Sequence, residues 1–284
     1  MASDLAILAS YAHPDDEQGV TGTLAWYADQ GIRTGLICAT RGELGEIAEA
    51  DPPLATPETL GQVREQEMRR AAAIAKIQQL WFLDYRDSGM RGTDGNKDAA
   101  AFMNVDEQEA VGKIVRIIRA FRPTVMTTFD PSGAYGHPDH IRIHALTTQA
   151  FHAASDPAQH PEAGPAWEVK RLFYTAMPRS RIRQLVQFAE QEGLTSNFTG
   201  MDPEKLGLPD EMITNRIDVR EYMDLKRRSL LQHRTQMNPN SLFAKLPEEV
   251  TAQWRGTEYF MLAAGTPVDT SDPVAAGDLF TRLR

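Results

Sequence analysis

Two short runs in this chain set imidazoles beside carboxylates: Ala12-His13-Pro14-Asp15-Asp16-Glu17 and His137-Pro138-Asp139-His140. Divalent metals such as zinc favour imidazole and carboxylate ligands, and a catalytic site uses three protein ligands with one position left for water. His13 and Asp16 stand three apart around Pro14, so both can turn toward one point. His140 falls in the first turn of the helix expected after the second run. Taking His13, Asp16 and His140 as ligands leaves the Asp15 carboxylate and the His137 imidazole for the proton transfers of a metal-assisted hydrolase. A helix cap explains a single Asp as readily, so either run alone decides little. Two runs, each with His-Pro-Asp after an expected strand, make coincidence improbable. The competing pair His140 and His144, four apart on one helix, lacks the Glu that follows the first His of the metalloprotease motif, so His144 is read as packed or supporting. His152, His160 and His233 have no acidic or metal-like company, and Glu17 is read as part of the helix start.

Both runs need elements to aim them. The first follows residues 5–9, an apolar run that reads as a buried strand, and precedes a helical stretch. Loops at the carboxyl ends of parallel strands are where open α/β sheets place their chemistry. Strands are expected at residues 5–10, 34–40, 79–83, 124–129 and 171–177, with helices near 17–30, 59–77, 107–121 and 138–153. Val111, Ile114, Val115, Ile118 and Phe121 mark one apolar helix face, which Pro123 ends. Such alternation predicts an α/β fold, a Rossmann-like and mainly parallel sheet with flanking helices. No G-x-G-x-x-G follows the first strand, so a dinucleotide is not expected. The stretch 87–104 reads as a long functional loop and 155–165 as a surface connection. Beyond 177 the pattern loosens to helices near 180–192 and 218–234, with no boundary that splits off a second domain. We expect one domain over 1–284, with a core at 1–178 and a C-terminal part, 179–284, packed on the sheet edge and walling the pocket.

The 284 residues carry 39 acidic and 30 basic side chains, a formal charge of −9 that argues against a nucleic-acid partner. Lys226-Arg227-Arg228 lies near Glu221 and Asp224 and reads as a solvated helix face. Cys38 is the only cysteine, so no internal disulfide forms and a reducing compartment fits. No secretion signal or membrane-length apolar run is seen, which makes a cytoplasmic protein with no membrane span the expectation and leaves the sequon Asn197-Phe198-Thr199 without consequence.

The sequence resembles the LmbE-like, or PIG-L, family of zinc-dependent N-acetylglucosaminyl deacetylases. The matching segments are AHPDDE at 12–17, TRGELGE at 40–46, the Arg64/Glu67 helix, YRDSGM at 85–90 and GAYGHPDH at 133–140, with a weaker echo in Lys226, His233 and Gln236. The RDSGM and YGHPDH patterns are similar to those of family members that deacetylate N-acetylglucosaminyl-inositol in mycothiol synthesis; Ala134 stands where Gly is common. The resemblance implies that His13, Asp16 and His140 bind zinc and that Asp15 is the general base. It implies that His137, protonated and tuned by Asp139, stabilises the oxyanion or the leaving amine, with Tyr135 reaching the same oxyanion. It suggests Asp87 for sugar hydroxyls, with Arg86 beside it, while Glu43 belongs to the matching loop. Arg64 is a candidate for a hydroxyl or phosphate of the aglycone, against a plain helix-surface ion pair with Glu65 or Glu67. Fe(II) fills a site of two histidines and one aspartate as well as zinc does.

The expected function is therefore a metal-dependent hydrolase that removes acetyl from an N-acetylglucosamine-type conjugate, a small-molecule partner. An amidase for a larger acyl group, such as a thiol conjugate or an antibiotic precursor, is the alternative, and a non-catalytic sugar-binding module a third reading. The oligomeric state stays open, a homo-oligomer among the outcomes.

Overall fold

A computed structural model of the chain describes residues 4–191, 202, 206–237 and 248–283, so the sequon at 197–199 lies outside the described residues. In chain order the elements are β1 (Ala6–Tyr11), α1 (Thr21–Asp29), β2 (Arg33–Thr40), α2 (Leu60–Ile74), β3 (Gln79–Tyr85), α3 (Glu107–Phe121) and β4 (Val125–Phe129). There follow α4 (Pro138–Ala153), β5 (Arg171–Ala176), α5 (Arg179–Gln191), β6 (Asn215–Asp218), α6 (Met223–Leu230), α7 (Glu248–Arg255) and β7 (Thr257–Gly265). The strands form one sheet in the order β3-β2-β1-β4-β5-β7-β6. β1 to β5 run parallel, as expected; β7 returns antiparallel to β5, and β6 pairs antiparallel with β7.

β1 and β4 are buried along their whole length because strands flank both edges and helices cover both faces, which is why they read as unbroken apolar runs. Strand order reverses between them: β2 and β3 extend one way, β5 the other. That reversal opens a crevice beyond the carboxyl ends of β1 and β4, where α/β sheets bind ligands. α3 packs against α4, and α6 against α1 and α2. Asp106 caps α3 by accepting from the Glu109 amide at 2.8 Å, and Arg122, in the left-handed region, closes it before Pro123.

Two strands lie in the C-terminal part, where none was expected: it joins the sheet as well as packing on it. β7 alternates half-buried and buried positions only over its first four residues, and its run Phe-Met-Leu-Ala-Ala suits a helix as well as a strand, so pairing with β5 decides the conformation. The helix expected near 218–234 spans only Met223–Leu230 because residues 215–218 are drawn into β6. This part also reaches under the first helix. The Glu258 carboxylate accepts from the amides of Gly22 (3.0 Å) and Thr23 (2.8 Å), satisfying donors that the first turn of α1 leaves free. Buried Lys226 pairs with the same carboxylate.

Candidate active site

The crevice brings the two His/Asp runs together. β1 pairs directly with β4, so the loops leaving their ends face one another. His13 Nδ1 lies 3.2 Å from His140 Nε2 and 3.3 Å from an Asp16 oxygen, and His140 Nε2 lies 3.2 Å from the other Asp16 oxygen. A tetrahedral zinc ion with bonds of about 2.0–2.1 Å separates its ligand atoms by about 3.3–3.4 Å. The two histidine nitrogens stand at that spacing, and each faces a different oxygen of Asp16, one of which also accepts from the His13 amide at 2.7 Å, so these donor types fit such an ion. His137 crowds the same point, within 4.8 Å of His13 and His140 by its ring nitrogens. His13 with Asp87 and Asp139 forms a second, overlapping group of that kind.

The outer nitrogens of the two histidines are also engaged. His13 Nε2 faces Asp139 Oδ2 at 3.2 Å, and His140 Nδ1 faces the Gly133 carbonyl at 3.2 Å. Such bonds fix ring orientation and aim the opposite nitrogen at a metal. Gly133 takes φ +64°, and a Cβ there would press on His140, so this carbonyl depends on glycine. Burial works against a charge on His13, yet the carboxylates of Asp139, Asp16 and Asp87 hold its pKa well above the ordinary value. Burial likewise opposes ionisation of Asp16, and His140 and His13 overcome it, holding that carboxyl well below its usual range. The surroundings are built to hold positive charge.

Asp15 precedes Asp16 in the chain, and its carboxylate faces Arg64. Its backbone is left-handed, with φ 97°, and the Gln18 amide bonds its carbonyl at 3.2 Å. Burial raises its pKa even though the Arg64 guanidinium lies 3.4 Å away. Arg64 is 4% exposed and donates to the carbonyls of Pro14 (2.6 Å) and Gly42 (2.8 Å). It is therefore not the surface ion pair the sequence suggested: Glu65 pairs with Arg41 and Arg69, and Glu67 with Thr235. Gly42 sits at φ +66° and a Cβ would run into the guanidinium, so the clamp requires glycine.

His137 caps α4, its Nδ1 accepting from the Asp139 amide at 3.1 Å. A nitrogen that accepts carries no proton, so the neutral ring keeps its hydrogen on Nε2. Burial, then repulsion by His13 and His140, lowers its pKa to about 4. Asp139 and Asp87 pull the other way and are outweighed, so the expected protonated form is disfavoured while the Asp139 Oδ2 also binds His13 and the Ser88 amide (2.9 Å). Tyr135 stands at the mouth, 42% exposed, with its ring centroid 5.0 Å from that of His140.

The expected sugar contacts are largely occupied. Asp87 accepts from the amides of Leu44 (3.0 Å) and Gly89 (2.8 Å), while Glu43 accepts from the Asp87 amide (3.1 Å). These two acids clip loop 41–46 to loop 86–89. Arg86 pairs with Asp98 at 3.0 Å and stays half exposed. His144 turns away from His140, bonding the Phe129 carbonyl at 2.8 Å and stacking edgewise on Tyr174, so the competing metal pair is not assembled.

Sequence reasoning missed Glu17 and His233. Glu17 does more than start a helix: 1% exposed, it accepts from the Asp15 amide (3.0 Å), from Gln18 (2.6 Å) and from His233 Nε2 (2.9 Å). His233 does have acidic company, and the echo of Lys226, His233 and Gln236 far from the motifs was the available signal.

Comparison with known proteins places the chain. The PIG-L family model, described as GlcNAc-PI de-N-acetylase, matches residues 8–151. A 1D-myo-inositol 2-acetamido-2-deoxy-alpha-D-glucopyranoside deacetylase from Catenulispora acidiphila is 35% identical over 290 residues, covering 98% of this chain and 89% of the relative. The chain belongs to the PIG-L family. Among solved structures, N,N'-diacetylchitobiose deacetylase from Pyrococcus horikoshii superposes with a TM-score of 0.63 at 19% identity, over 91% of this chain and 83% of that one. A 4-carboxy-2-hydroxymuconate hydratase from Pseudomonas putida follows at 0.58 and 16%, over 93% and 98%. The fold is thus shared with a protein named for a different reaction, and function must be argued from the site.

Proposed function

We propose that this chain is a metal-dependent deacetylase that hydrolyses the acetamide of an N-acetylglucosaminyl conjugate, with N-acetylglucosaminyl-inositol, the substrate in its relatives' names, as the first candidate. The observation that carries the proposal is the convergence of His13, Asp16 and His140, with Asp15 next to Asp16 in the chain. A divalent ion held there, Zn(II) or Fe(II), would polarise the acetamide carbonyl and lower the pKa of water toward ~7. Asp15, with its pKa raised by burial, takes a proton from the attacking water. Neutral His137 donates its Nε2 hydrogen to the carbonyl oxygen as negative charge builds, a donor worth about 2.7–4 kcal/mol in comparable sites. Tyr135 approaches the same oxygen from the mouth. The proton on Asp15 then passes to the departing nitrogen, so amide and water become acetate and free amine.

Substrate contact remains proposed for Arg86, whose guanidinium is half exposed; Asp87, Glu43 and Arg64 are proposed to build the rim. A cytoplasmic setting is proposed from the single thiol, Cys38, which is buried. The larger-acyl alternative draws little support from loop 87–104, which is knit by Asn96 and Asn104 onto its own carbonyls. Acetate release from N-acetylglucosaminyl-inositol tests the proposal, using protein as purified, stripped by chelator and reloaded, with metal content measured in parallel. Turnover that survives stripping would overturn it, and preference for bulky acyl analogues would move it to the alternative.

A further inference from the structure

Asp15 keeps a backbone conformation that a side-chain-bearing residue rarely adopts, so something must hold it there. Left-handed backbone at such a residue costs of order 1–3 kcal/mol and persists only where neighbours over-determine it. Three contacts converge on this residue: Gln18 on its carbonyl, Arg64 on its side chain and Glu17 on its amide. The last is the unusual one. Glu17 is an almost fully buried carboxylate that bonds an amide two residues earlier, so its orientation decides whether the Asp15 peptide stays turned. A buried carboxylate is costly unless paired and hydrogen-bonded.

Its pairing comes from far along the chain. His233 Nε2 lies 2.9 Å from Glu17 Oε1, across 216 residues of sequence. His233 is itself fixed: its amide bonds the Leu230 carbonyl, and the Gln236 amide bonds the His233 carbonyl. Two residues on, Thr235 bonds Glu67 of α2 through both its amide (2.9 Å) and its hydroxyl (2.6 Å). Gln18, the other side-chain donor to Glu17, rests on Ser229 at 3.3 Å. The segment 229–236 thus forms a fixed wall against which Glu17 is seated.

We propose that Glu17 and His233 are a positioning pair for the general base, the buried Glu17 carboxylate holding the Asp15 peptide in its left-handed turn and His233 holding Glu17. Both are 1% exposed, and both act through Asp15. The inference rests on the deacetylase reading for its kinetic consequence and on geometry alone for its structural one.

The test compares His233→Ala, His233→Gln, Glu17→Ala and the double alanine variant with the unaltered, metal-loaded protein. A misplaced base lowers the chemical step and leaves substrate binding alone, so kcat is expected to fall about 10–100-fold with KM within about threefold. Gln at 233 keeps a donor for Glu17 and is expected to restore most of kcat. The double variant should be no worse than either single, because the two residues work as one unit. Independently of turnover, the Asp15 amide proton, followed by NMR on 15N-labelled protein, should exchange at least about tenfold faster in the alanine variants and regain protection in His233→Gln. Additive losses, a loss confined to KM, or unchanged Asp15 exchange in His233→Gln and Glu17→Ala alike with full kcat would overturn the pair. If His233→Ala fails to fold, His233→Gln against Glu17→Ala still decides the matter by exchange. A protein that releases no acetate yet shows the exchange pattern would retain the positioning pair and sink the deacetylase reading alone.

Discussion

His13 Nε2 and Asp139 Oδ2 face each other at 3.2 Å, so the ring nitrogen left over, Nδ1, is the one aimed at Asp16 and His140. The carboxylate that the second motif contributes therefore serves the histidine of the first. Replacing it with an amide keeps an oxygen for the Ser88 amide but weakens the hold on His13. Asp139→Asn is expected to lower metal affinity about 10–100-fold, in line with other residues that orient ligands. Competition against a chelator of known affinity measures this; an unchanged affinity would show that Asp139 does not orient the ligand.

Asp15→Ala removes the proposed base and no ligand. Turnover should drop by about 10²–10⁴ while bound metal stays at the level of the unaltered protein. Metal analysis and acetate release on the same preparation separate the two effects. If metal is lost along with activity, Asp15 belongs to the ligand set instead.

Gly42→Ala tests the Arg64 clamp. The new methyl meets the guanidinium at a backbone φ of +66°, so the two costs add, and a loss of about 1–3 kcal/mol is expected. Because Arg64 also steadies Pro14 and Asp15, kcat should fall in the folded fraction. Thermal melts that match those of the unaltered protein would mean the loop relaxes freely around the methyl.

The Glu17–His233 pair has a pH signature in stability. Burial opposes charge on His233, yet Glu17 and then Asp15 raise its pKa above 6.5, with Arg64 opposing. A raised folded value gives stability that is complete below 6.5 and is lost as pH climbs through that higher value. For Glu17, burial pushes the pKa up but His233 and Gln18 bring it below 4.5, so its contribution is present above 4.5 and is lost as pH falls through the depressed value. The Tm gap between the unaltered protein and His233→Gln should therefore be widest between pH 4.5 and 6.5 and narrow toward pH 9. A gap that widens with rising pH would contradict the charged pair.

Much of this was legible in the chain before any coordinates. Buried parallel strands announce themselves as apolar runs, and the second run, with its proline, falls at a helix N-terminus, so β1, β4 and the His13, Asp16 and His140 triangle could be anticipated. What eluded reading were bonds to the backbone. Arg64, Asp87 and Glu43 sit in conspicuous segments, but their partners are carbonyls and amides, which look alike at every position of a sequence. His137 shows the same blindness: its type suggested a part in proton transfer, and nothing in the chain announces the capping bond its Nδ1 accepts from the Asp139 amide. β7 was missed because its composition suits either regular structure, and only its neighbour β5 decides.

The return of β7 beside β5 sets an order of events for a chain emerging from the ribosome. When the first five strands have been made, His13, Asp16, His140 and Asp15 all exist, yet α1 lacks the carboxylate that caps its first turn and Glu17 lacks its histidine. The outer edge of β5 is also open until β7 pairs with it, the kind of edge on which partly made chains stick to one another. The hydrolytic centre is thus encoded early, while the partners of Glu17 and of the β5 edge lie later in the chain, in residues 233 and 257–265.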